Sequence, residues 1–145
     1  MKEPAHHLRK AIIDDLSGVI QLDGSNVQIY NKVPLNASEP FIKVYTVSSG
    51  ESEFNRNSKM VDTVIRIECV TSYDSGAGGE LQVNQLVSQV YDRIRVSPDN
   101  YFDLSAEGLK IYSMLIGQTI YLEEYTDGKT YYRAVISVEI KTNEQ

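Results

Sequence analysis

Between Leu109 and Ile140 the chain runs through three strand-like stretches with no helical period between them, and consecutive strands that lack a crossover pair antiparallel. The stretches are Leu109 to Ile116, Thr119 to Tyr125 after a break or bulge near Gly117, and Tyr131 to Ile140, where Tyr132, Ala134, Ile136, Val138 and Ile140 share one face. Thr126-Asp127-Gly128-Lys129 joins the last two, and Asp-Gly accepts the positive φ angles of a tight hairpin. Further upstream, Phe41 to Val47 is β-branched and aromatic. After a polar stretch, Val61, Thr63, Ile65, Ile67 and Cys69 alternate with Asp62, Arg66 and Glu68, so a second antiparallel pair is expected there.

Two segments carry the other period. Leu8, Ile12, Ile13 and Leu16 recur at helical spacing and Gly18 stands at the stop, which predicts a helix near residues 5–17. Val83, Leu86, Val87, Val90, Tyr91 and Ile94 mark one face of a second helix, with Pro98 just beyond Arg95. Residues 19–40 read as a connector with one short edge strand at Val27 to Tyr30, and Tyr73 to Gly79 as a flexible turn. The class that follows is α+β: a mainly antiparallel twisted sheet with two amphipathic helices packed on one face. At 145 residues the chain makes one domain, 1–145, from which residues 48–60 are expected to protrude as a loop or hairpin arm.

Composition narrows the chemistry. Twenty acidic against 14 basic residues give a formal charge of −6, which argues against gripping nucleic acid by phosphate neutralisation. The single cysteine, Cys69, forms no internal bridge and lies on the apolar face of its strand, where a small buried hydrophobe is expected rather than a nucleophile. The two histidines, His6 and His7, are neighbours that diverge by about 100° on a helix, whereas a shared metal site prefers i, i+4 spacing. Gly76 to Gly79 precedes a helix, but Glu80 and Leu81 stand where a phosphate loop needs lysine and a hydroxyl. The pairs Asp14-Asp15 and Glu123-Glu124 diverge as solvated surface charge, and no Gly-x-Ser-x-Gly elbow occurs. No catalytic residue, metal ligand or cofactor is expected, and no apolar run is long enough to span a membrane. The leading ten residues lack a signal-peptide core, so a soluble cytoplasmic protein is expected. Ten tyrosines and no tryptophan make a lopsided aromatic set, several of them in the C-terminal strands, where interface and core roles are weighed evenly.

Four segments then stand out together: Leu8-Arg9-Lys10-Ala11-Ile12, Ile29-Tyr30-Asn31-Lys32-Val33-Pro34, Glu39-Pro40-Phe41-Ile42-Lys43-Val44, and Tyr125-Thr126-Asp127-Gly128-Lys129-Thr130-Tyr131-Tyr132. In this order and spacing, over almost the whole chain, they resemble the tail terminator, or tail-completion, proteins of long-tailed bacteriophages. The resemblance implies a non-catalytic virion subunit of the neck, assembled in the host cytoplasm. Such a subunit forms a hexameric ring on the last ring of tail-tube protein, stops tube growth and presents the surface that joins the head-completion or connector protein. DNA would be only passing cargo in the channel, and an acidic wall would let it pass without sticking.

The family has no short active-site motif to carry over. Interface residues are therefore expected by position in the loop between the second and third strands: Glu51, Glu53, Phe54, Asn55, Arg56, Asn57 and Lys59. There Phe54 is an apolar residue among polar ones with Arg56 beside it, the composition of an interface hot spot. The competing readings are another neck component, either a head-completion stopper or a tail-tube subunit, and a monomeric ligand-binding or regulatory domain that uses the sheet face as a pocket.

Overall fold

The computed structural model describes residues 3–51, 60–74, 76–94 and 101–145, which form an α+β fold. Helix α1 spans Ala5–Leu16, and the strands that follow are β1 Gln21–Leu22, β2 Ser25–Asn26, β3 Gln28–Tyr30, β4 Phe41–Glu51 and β5 Met60–Asp74. Helix α2 spans Leu81–Ile94, a single 3₁₀ turn Ser105–Glu107 follows, and two long strands, β6 Leu109–Thr126 and β7 Lys129–Glu144, complete the chain. The main sheet has five strands in the order β3-β4-β5-β7-β6, while β1 and β2 form a separate hairpin. Every pairing in the main sheet is antiparallel except β3 with β4, which is parallel.

The registers show why this pattern of residues folds as it does. Ile42, Cys69 and Ala134 lie in one row across β4, β5 and β7, and Val44, Ile67 and Ile136 in the next; Ile65 and Val138 continue the series on β5 and β7. All of these side chains are buried and point to the same face. Onto it α1 places Leu8, Ile12 and Leu16, and α2 places Val83, Leu86, Val87, Val90 and Ile94, completing one core. Each fully buried Leu, Ile or Val contributes about 1.5–3 kcal/mol relative to exposure, so the core rows and not the helix ends fix where the helices dock. Arg93 then ties α2 to α1, donating from its guanidinium to Asp15 Oδ1 at 2.7 Å.

Several expectations from the sequence need correction. The three C-terminal stretches are two strands: β6 runs unbroken through Gly117, with register irregularities at Ile111/Ser113 and Ile116/Thr119. The bulge near Gly117 is present, but pairing resumes after it, because β7 is long enough to serve both halves of β6. Strand β4 continues through Ser48 to Glu51 and β5 begins at Met60, so both ends of the expected 48–60 loop belong to strands; residues 52–59 lie outside those described. The expected helix stop at Arg95 and Pro98 also lies outside them.

Tyr73 and Asp74 are the last residues of β5 rather than part of a turn. The loop after them returns so close that a Cβ on Gly78, whose φ is +85°, would stand 2.2 Å from Tyr73 Cγ. Only glycine fits that approach. The connector at 19–40 holds its edge strand, and also the β1–β2 hairpin, which turns on Asp23 and Gly24 at φ 51° and 81°.

Candidate functional site

Of the seven interface residues proposed from the sequence, Glu51 is described: it is the exposed last residue of β4. Glu53, Phe54, Asn55, Arg56, Asn57 and Lys59 lie outside the described residues.

The residues weighed for chemistry are dispersed. Cys69 is fully buried in the core, and burial, reinforced by the neighbouring Glu68 charge, pushes its thiol up to about 12, so no thiolate forms at neutral pH. His6 and His7 are not fully divergent, since their rings lie with centroids 3.7 Å apart, tilted at 41° to each other. His7 lies in a cleft of about 220 Å³ lined also by Lys10, Asp14, Asp103 and Glu107. Within it His7 Nδ1 faces Glu107 Oε2 at 3.7 Å and Lys10 faces Asp14 at 3.5 Å. Among the described residues no group of three His, Cys, Asp or Glu side chains is placed to hold a metal ion, and no helix is long and apolar enough to cross a membrane.

The face of the sheet opposite the helices is built differently from the core face. Arg133 stands between Glu68 at 3.9 Å and Glu124 at 3.5 Å, and Lys141 Nζ donates to both oxygens of Asp62 at 3.2 and 3.3 Å. Phe41, Val70 and Val135 are buried on that face, in register with these charges. Lys and Arg stems cover apolar surface while their charged heads stay in water, which is how one polar layer closes over such valines.

The apolar surface that stays open concentrates on β6. Leu115, Ile120 and Leu122 point away from the helices with 57%, 46% and 46% exposure, and Tyr112, Tyr121 and Tyr125 are exposed on the same strand. Residues 120–129, the end of the β6–β7 hairpin, are all exposed. Among the described residues β6 pairs with β7 on one side only, so its 18-residue outer edge is open. At the opposite end of the sheet β3 covers only Phe41 to Lys43 of β4, and Asn31 Nδ2 donates to the Val44 carbonyl at 2.8 Å, finishing that cover. Beyond it Tyr45 to Glu51 form, among the described residues, a second open edge, with Val47 46% exposed.

A long edge strand with unpaired backbone groups and exposed aliphatic side chains is a template for pairing with another chain. Division of β6 into two strands at Gly117 hides this long edge in the sequence. Its signal was present: in Leu109 to Tyr125 apolar residues occupy both faces rather than alternating with polar ones, which a strand covered on one face does not need. The tyrosines separate accordingly. Tyr91 is partly buried and its hydroxyl hydrogen-bonds that of Thr119, Tyr132 packs against the core, and Tyr112, Tyr121 and Tyr125 are exposed, Tyr121 on the helix side of the sheet in register with Ala134.

Comparison with known protein families finds no family model that matches the chain, and comparison with curated proteins finds no match.

Proposed function

We propose that this chain is a structural subunit of a bacteriophage neck: a tail terminator that closes into a hexameric ring on the end of the tail tube, stops its polymerisation and offers the opposite surface to the head-completion protein. The observation that carries the reading is the set of four family-like segments in one order and spacing along the chain. They fall at structurally coherent places. Leu8 to Ile12 lie in α1, Pro40 immediately precedes β4, and Asp127-Gly128 form the tight turn into the last strand, with φ of 53° and 78°.

In this reading the protein is not an enzyme, uses no cofactor, and contacts DNA only as it passes. The formal charge of −6 favours that passage, since like charge keeps phosphates from adsorbing to the wall. The open edges of the sheet provide surface for subunit contact, and the protein would reside in the virion neck after assembly in the host cytoplasm.

The test is a capping assay. Purified subunit is added to polymerising tail-tube protein of the same phage and tube lengths are measured by electron microscopy. A terminator halts elongation at a dose set by the number of tube ends, with a ring at each stopped end. Incorporation along the tube would make the chain a tube subunit. Absence of any effect on length, with no particle at the ends, would overturn the terminator role.

A further inference from the structure

The two open edges of the sheet match each other. Strand β6 is antiparallel to β7, β7 to β5 and β5 to β4, so β6 and β4 run in opposite directions. A second copy placed beside β6 in the same orientation therefore presents its β4 antiparallel to β6, the better-bonded arrangement. The contact is head to tail, and a heterologous contact of this kind closes into a ring when its rotation permits.

The rows of the sheet show what each residue would meet. Leu115 pairs with Glu139, Glu139 with Val64 and Val64 with Ser48, so Leu115 and Ser48 end one row at opposite edges. Glu51 belongs by the same reading to the row of Ile111, on the face that the helices cover. Lys43, where β3 still covers β4 through Tyr30, belongs to the row of Ile120. A flush seam thus sets the exposed Leu115 of one copy beside Ser48 of the next, on the face away from the helices, with the exposed Val47 next to it. The irregularity of β6 at Ile116/Thr119 lies in the rows of Val44 to Thr46, where the cover of β4 by β3 and Asn31 ends. A bulge bends its strand, and here it falls where a straight β6 would run against the short β3 of the next copy.

We infer that the open edge of β6 binds the open edge of β4 of a second copy of this chain, antiparallel and head to tail, so that neighbouring subunits share one continuous sheet. The inference rests on the ring reading and names the surface that builds the ring.

Cysteines introduced together at Leu115→Cys and Ser48→Cys test the seam, because both positions are exposed and the native Cys69 is buried. Under mild oxidation the double variant should give a ladder of covalent multimers on a non-reducing gel, and neither single variant should. Ring-sized particles that yield no ladder from Leu115 paired with Ser48 or Gly50 would overturn the seam while leaving the ring intact. A monomer at every concentration would overturn the ring reading and the seam with it.

Discussion

The side-chain amide of Gln89 closes two hydrogen bonds on the backbone of Gln21, accepting from its N–H at 2.9 Å and donating to its carbonyl at 2.7 Å. A side chain of α2 thereby acts as a one-residue strand partner for β1 and anchors the β1–β2 hairpin. Gln89→Ala removes both bonds and should cost about 1 kcal/mol, because the Gln21 groups regain water. Denaturant titration reads the loss, and faster amide exchange at Gln21 localises it. Unchanged exchange would mean that other contacts hold the hairpin.

Val87 lies in the middle of the buried face of α2, at 3% exposure. Val87→Asp forces an unpaired carboxylate into that core and should cost about 3–5 kcal/mol or prevent folding. Circular dichroism through a denaturant series measures it. A soluble variant with native stability would contradict the packing of α2 on β5 and β7.

Cys69 sets a pH dependence. Its thiol titrates near 9 in an ordinary setting and is pushed up to about 12 here, chiefly by burial. The unfolded chain therefore releases this proton above pH 9 while the folded protein keeps it. The folded state then binds more protons, so stability is complete below pH 9 and falls as pH rises towards 12, by up to about 1.4 kcal/mol per pH unit from this group. Tyr73 and Tyr121 are also raised by burial and act in the same direction. Cys69→Ala should make the slope shallower by about one proton, and an unaltered slope would place the titration elsewhere.

Phe54 is the anchor expected from the loop sequence. Phe54→Asp should leave far-UV circular dichroism unchanged and weaken subunit or tube contact by about 2 kcal/mol. Unchanged assembly would remove Phe54 from the interface.

The legibility of this fold in its sequence follows the strength of each periodic pattern. The alternation from Val61 to Cys69 and from Tyr132 to Ile140 stated both the strands and their buried face, since a half-buried strand has to alternate. The stripe from Val83 to Ile94 did the same for α2. What escaped was set by pairing partners distant in sequence. Ser48 to Glu51 look like loop residues, yet they are strand because β5 offers Val61 to Val64 beside them. Asp23-Gly24 carries the same turn signal as Asp127-Gly128, but its strands are two residues each and show no period. The apolar residues on both faces of Leu109 to Tyr125 mark β6 as unusual, but that its edge is open depends on where the strand stands in the sheet order.

The most direct test of the account is the mass of the purified protein in solution, measured by light scattering behind a sizing column across a concentration series. The account requires a closed species near six subunits that does not grow further as concentration rises. A monomer throughout the series, or an open-ended polymer whose mass keeps increasing, would contradict it.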